Sequence, residues 1–152
     1  MTSHPTDNWL LCDVQDWVHD RVEDGVRCPC CGQFAKVYER RINASMVRAL
    51  VALWRRGPDW VHLPPVDPSH GEAARLSYWG LIEEEPTVRE DGGRAGWWRI
   101  TQKGNWWLEG RFPVQMYARI YNGRLLGFSG GPWFVQDAVR DKFDLQQLMR
   151  GQ

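Results

Sequence analysis

The sequence predicts an α+β fold of short elements, and three observations carry that prediction. "NASMVRALVALWRRGP" (Asn43–Pro58) has apolar residues at helical spacing. "VQMYARIYNGRLLGF" (Val114–Phe128) has alternating runs on either side of Asn-Gly. "VRCPCCGQFAKVY" (Val26–Tyr38) puts a cysteine turn between two short, loosely alternating runs. The first pattern is the signature of an amphipathic helix, the second of a tight hairpin, and the third of a knuckle closing a hairpin.

Taken in order, "DNWLLCDVQDWVHDRVEDG" reads as an amphipathic helix. Leu11, Val14, Val18 and Val22 recur at helical spacing, Trp17 widens the stripe, Asp7 is the expected N-cap and Gly25 the stop. The knuckle follows. In Cys28-Pro-Cys-Cys31-Gly, proline bends the chain, glycine tolerates a left-handed backbone and two thiolates turn toward one ion. Cys28 and Cys31 are therefore candidate ligands of a structural zinc, and they make half of a tetrahedral site. The other half comes from Cys12, His4, His62 or His70, or from the same knuckle of a second chain in a homodimer, or the turn is metal-free. Cys12 and His19 share a helix face, but two turns separate their Cα atoms by ~10.5 Å, so at most one of them serves.

The segment after Asn43 is the clearest helix. Asn43 caps it, Met46, Leu50, Leu53 and Val47, Val51, Trp54 form two apolar rows, and Gly57-Pro58 end it. "DWVHLP" reads as a short strand and "PPVDPSHG" as a Pro-rich turn. One helix is expected over about Ser69 to Trp79. Leu81–Glu85 and Trp97–Ile100 then pair as strands around a Gly-rich tip, and Thr101 caps the next helix. In the C-terminal hairpin Val114, Met116, Ala118 and Ile120 share one face. "FSGGPW" reads as a turn, and two short helices close the chain, the last capped by Asp144 with Leu145, Leu148 and Met149 on one side. These elements group into three segments: 1–42 with the first helix and the knuckle, 43–112, and 113–152 with the hairpin and final helices.

Composition limits the function. At 152 residues, 43% hydrophobic and with zero formal net charge, the chain is long enough for a full core and is neither a disordered tail nor a polybasic particle. No apolar run approaches the ~20 residues that cross a bilayer, and "MTSHPTDNWL" lacks the pattern of a signal peptide, so a soluble cytoplasmic protein is expected. The neutral total conceals a basic stretch. Between Gln33 and His62 stand Lys36, Arg40, Arg41, Arg48, Arg55 and Arg56 against Glu39 and Asp59 alone. Such an excess is the least electrostatic footprint that phosphate contacts require.

The order "YWGLIEEE", "EDGGRAG", "WWRIT", "QKG" resembles the winged-helix domains of MarR- and PadR-like regulators over about Asn43 to Gly110. There a helix runs into a Gly-Leu-Ile strand, a hairpin forms the wing, and a Thr-x-Lys-Gly turn starts the next helix. The resemblance implies a degenerate winged helix, because Pro64 to Gly80 leaves room for one helix where a DNA-reading domain fits two. That helix offers Arg75 as its one guanidinium. More broadly, "CPCCGQFAKVYERRIN", "ARLSYWGLIEE", "WWRITQKG" and "DKFDLQQLM" resemble a group of small uncharacterised tailed-bacteriophage proteins, which implies a bacterial host cytoplasm and no particular activity.

Catalysis is not expected. His4, His19, His62 and His70 are scattered, and no Ser-His-Asp order, paired-carboxylate motif or HExxH is present. Two binding functions follow from the residues. The first is a nucleic-acid-associated accessory or regulatory factor with Lys36, Arg40, Arg41, Arg48, Arg55 and Arg75 on phosphates. The second is a module that engages a host or phage protein through an aromatic surface, drawing on the ten tryptophans.

Overall fold

A computed structural model describes residues 9–69, 71–86 and 96–151. The protein is mixed α and β, with short helices and small antiparallel sheets. It divides into two compact units, one of residues 1–40 and 117–128, the other of residues 41–116 and 129–152.

In the first unit, helix α1 (Leu11–His19) buries Val14, Trp17 and Val18. With Val22 and Val37 these form a small core, on which Val26, Cys28, Ala35 and Tyr121 pack. The expected cap Asp7 lies outside the described residues. Leu11, expected on the apolar stripe, is 65% exposed. The helix also stops before Gly25. The Val22 carbonyl, which a longer helix would spend on its own ladder, instead accepts the Val37 N–H at 2.8 Å. Strands β1 (Val26–Arg27) and β2 (Phe34–Ala35) pair antiparallel with the cysteine turn at their tip. Strand β3 (Tyr38–Arg40) pairs antiparallel with β7 (Val114–Tyr121) in the register Tyr38↔Ile120, and β8 (Arg124–Trp133) lies on the far side of β7.

The second unit is built on α2 (Ala44–Arg55), which buries Met46, Val47, Ala49, Leu50, Val51 and Leu53. At roughly 1.5–3 kcal/mol for each large aliphatic side chain taken from water, this face is the unit's main source of cohesion. The Asn43 side chain accepts the Met46 N–H at 3.0 Å, as its cap role requires. Strands β4 (Val61–His62), β5 (Ile82–Glu84) and β6 (Trp97–Ile100) form an antiparallel sheet in the order β4-β6-β5. The expected helix over Ser69–Trp79 is instead a 3-10 helix at Glu72–Trp79, preceded by a single 3-10 turn at Pro64–Val66. Pro64, Pro65 and Pro68 have no N–H to donate. The Asp67 carboxylate takes the N–H groups of Ser69 and Gly71 at 2.8 and 2.9 Å, and the Ser69 hydroxyl takes that of Ala73 at 2.8 Å, so an α-helical ladder has no start here.

Helix α3 (Gln102–Leu108) begins at Thr101, whose hydroxyl accepts the Gly104 N–H at 3.1 Å and donates to the Gly80 carbonyl at 2.6 Å. Helices α4 (Val135–Val139) and α5 (Leu145–Met149) both contact α2. "FSGGPW" differs from its sequence reading: it is the extended end of β8 and not a turn. β8 stands at the sheet edge, where Pro132 can lack a donor and glycines can weaken pairing without breaking a ladder on both sides.

Candidate functional site

The six cations expected to contact phosphate do not form one cluster. Lys36 and Arg40 belong to the first unit, whereas Arg41, Arg48, Arg55 and Arg75 belong to the second. Arg75 is 3.6 Å from Glu72, whose other oxygen accepts from the Asn43 amide at 2.8 Å, so the one guanidinium of the 3-10 helix is already matched by a carboxylate. Lys36 lines a groove in the first unit, and the Arg40 guanidinium lies 5.2 Å from the Tyr38 ring centroid.

The remaining three are held without ion pairs. On the exposed side of α2, Arg48 stacks over Phe143 at 4.2 Å from its centroid, and Arg55 donates to the Leu148 carbonyl. Arg41 lies 5.5 Å from the centroid of Trp133. Among the described residues no carboxylate is within ion-pair distance of any of the three. An arginine ordered by an aromatic face or a carbonyl keeps its full charge and most of its N–H groups, which is the state from which phosphate contacts cost least to make.

A fourth cation, Arg140, was not expected from the sequence. It follows α4, its guanidinium lies 5.8 Å from the same Trp133 centroid, and it too has no carboxylate within ion-pair distance among the described residues. Its backbone sits at φ 50°, ψ −123°, a region that favours glycine. Holding a side chain there costs on the order of 1–3 kcal/mol. An exposed cation–π contact returns about 0.5–1 kcal/mol, and the Arg140 Nε bond to the Asp137 carbonyl at 3.2 Å adds a comparable amount, so the contacts do little more than offset the strain. No sequence signal marks such a position, because "AVRDK" contains nothing that requires a positive φ.

The cysteine turn is closed by two bonds, from Cys28 N–H to the Gln33 carbonyl at 2.7 Å and from Gly32 N–H to the Cys28 carbonyl at 2.8 Å. This turn aims the backbone N–H groups of Cys31 and then Cys30 at the Cys28 sulfur, and these bonds hold the Cys28 thiol below its usual range. Cys28, Cys30 and Cys31 line a groove of ≈ 580 Å³ together with His19, while Cys12 is exposed and does not line it. Cys28 and Cys31 suit two thiolate ligands of a zinc ion, with the amide bonds favouring the deprotonated sulfur. Among the described residues, no three His, Cys, Asp or Glu side chains gather closely enough to hold a metal ion. Of the histidines weighed as further ligands, His4 and His70 lie outside the described residues, and His62 stacks on Trp97 at 5.2 Å in the other unit.

The second unit also exposes an aromatic pair. Trp106 in α3, 37% exposed, and Phe112 beyond its end, 57% exposed, meet edge to face at 5.7 Å. No helix among the described residues is long and apolar enough to cross a membrane. The chain matches no protein-family model, and no curated protein or solved structure is significantly similar to it.

Proposed function

We propose that this protein is a non-enzymatic, nucleic-acid-associated accessory or regulatory factor of phage type, acting in a bacterial cytoplasm and binding phosphates through arginines on a degenerate winged helix. One observation carries the reading: Arg48 and Arg55, one heptad apart on α2, are ordered by Phe143 and the Leu148 carbonyl yet electrically unmatched. The winged-helix assignment is supported by the chain order α2, β4, 3-10 helix, β5, β6, α3 and by the sheet order β4-β6-β5, in which the last strand of the wing lies between the other two. A 3-10 helix with its arginine tied to Glu72 is a poor base reader, so binding on this reading is to backbone and indifferent to sequence. Zinc on Cys28 and Cys31 has a structural role in this reading.

Electrophoretic shift against random duplex and single-stranded DNA at two salt concentrations tests it. Phosphate binding must weaken steeply as salt rises, because each neutralised phosphate releases counterions. Absence of any shift at low salt sinks the reading. The exposed Trp106–Phe112 pair favours a second reading, a module that docks a host or phage protein on an aromatic anchor, whose affinity salt would scarcely change.

A further inference from the structure

The geometry points to a phosphate-binding site formed by Arg41 and Arg140 on Trp133. Trp133 is a fixed platform: it is 6% exposed, its indole N–H donates to the Ile42 carbonyl at 3.1 Å, and its own carbonyl accepts the Trp107 indole N–H at 2.9 Å. The bond to Ile42 also pins the backbone directly beside Arg41. The two guanidiniums lie 5.5 and 5.8 Å from one ring centroid, so both border the same indole, and in the site we infer one oxyanion, or neighbouring phosphates on a strand, contacts both.

The contacts supplied by the fold, two cation–π contacts and one bond from Arg140 Nε to a carbonyl, give this arrangement little net stability. Two like charges share one indole, which is repulsive unless an anion joins them. Asp137, the one acid in α4, accepts the Phe134 N–H on its carboxylate at 2.8 Å and the Arg140 Nε–H on its backbone carbonyl at 3.2 Å. The Arg140 Nη groups and the whole Arg41 guanidinium thus have no hydrogen-bond acceptor among the described residues. Arg140 also holds a backbone conformation that glycine would adopt without strain. An arginine kept at a glycine position, beside a second unmatched arginine, is explained by a ligand that needs both.

The ligand chemistry is a phosphate group. Its assignment to a nucleic-acid backbone rests on the reading proposed above, whereas the site itself does not. Full-length ¹⁵N-labelled protein is titrated with inorganic phosphate while the Trp133 indole N–H and the Arg140 Nε–H signals are followed, assigned with Trp133→Phe and Arg140→Gly. The expected result is a saturable shift of both signals. Arg140→Gly and, separately, Arg41→Gln should each lower phosphate affinity about tenfold or more, the weight of one charge-assisted contact. Arg140→Gly should melt at the same or a higher temperature than the parent. No saturable shift, an Arg140→Gly variant that still binds, or one that melts lower overturns the site. A single-stranded oligonucleotide that moves the same signals and is competed by phosphate supports the backbone as source. An oligonucleotide that binds without moving them overturns that source, and one that does not bind at all counts against the nucleic-acid reading and leaves the phosphate titration to judge the site.

Discussion

Gly104 and the Leu81 carbonyl are in such close approach that a Cβ added to the glycine would stand 2.3 Å from the oxygen and 2.7 Å from Ile100 Cγ1. The oxygen cannot retreat, since it belongs to backbone and accepts the Thr101 N–H at 3.0 Å. Helix α3 therefore sits directly on the chain entering β5, and the glycine of "QKG" is what allows it. Gly104→Ala should destabilise the protein by about 1–3 kcal/mol through overpacking, despite the roughly 1 kcal/mol that alanine gains in helix propensity. The midpoint of urea unfolding checks this, and an unchanged or raised midpoint would mean that α3 can shift away freely.

Arg48 and Arg55 hold positions that make two effects separable. Replacing both with alanine should weaken binding to all nucleic-acid sequences about equally and flatten the salt dependence by about two charges. The same change removes the Arg48–Phe143 stack and the Arg55–Leu148 bond, and so should loosen α5 by about 0.5–1 kcal/mol for each exposed contact. Lysine at both positions keeps charge but loses the planar stacking and forked hydrogen bonding. Recovery of the salt slope by the lysine variant, without recovery of stability, is the outcome expected if phosphate is bound there.

How much of this was legible in the sequence depended on whether the signal was local. Asn43 announces α2 because its cap bond reaches only to Met46, and Asn122-Gly123 announces the β7–β8 turn because both residues take positive φ, 51° and 74°. The knuckle hairpin is local in the same sense. What escaped was tertiary. Arg48 and Arg55 read as phosphate contacts from their charge alone, and what holds them in place, Phe143 and the Leu148 carbonyl, lies some ninety residues on. The glycines of β8 read as a turn because their tolerance comes from an edge position that only pairing defines. Arg140 carries no mark in its neighbours, and its backbone conformation becomes visible only with Trp133 and Arg41 in place.

The turn at Asn122-Gly123 permits a sharper test of register. Gly123→Val forces a β-branched side chain into φ near 74°, with strain of about 1–3 kcal/mol. Nothing lies near a Cβ at this position, so the penalty comes from the backbone alone. Gly123→Asn, which tolerates the left-handed region, should recover most of the loss. Thermal melts of the pair decide it: equal stability for the valine and asparagine variants would exclude a positive-φ requirement.

The Cys28 thiol should react out of proportion to its neighbours. With its value lowered by the Cys31 and Cys30 amides, it keeps thiolate at a pH where an ordinary thiol has lost it. Alkylation followed by peptide mapping across mildly acidic to neutral pH should label Cys28 at lower pH than it does in the urea-unfolded chain. The linked stability has a definite sign. The folded state binds the Cys28 proton less tightly, so this contribution is present above the unfolded thiol value and is lost as pH falls through the lower folded one. Identical labelling profiles for folded and unfolded chains would show that the amides do not reach the sulfur.

Zinc gives the last prediction. Cys28 and Cys31 offer two thiolates, and His19 lines the same groove, but among the described residues no third ligand stands close enough to close a site within one chain. If zinc binds there, the missing ligands would come from a second knuckle across a two-fold axis, or from a side chain that moves in when metal binds. The collar of the groove favours the first: Phe34 and Tyr38 are exposed large rings beside the cysteines, and a second chain would cover them. Protein purified without a chelating tag should carry about half an equivalent of zinc per chain, and chelator should both remove it and dissociate a dimer. Cys28→Ser with Cys31→Ser should reproduce that loss while leaving the α2 core cooperative in melting, because that core lies in the other unit. About one equivalent in a monomer would instead send the search for the two remaining ligands to Cys12 and the histidines. Less than roughly a tenth of an equivalent, with melting indifferent to chelator, would make the knuckle a tight turn whose amides stabilise a thiolate for some purpose other than zinc.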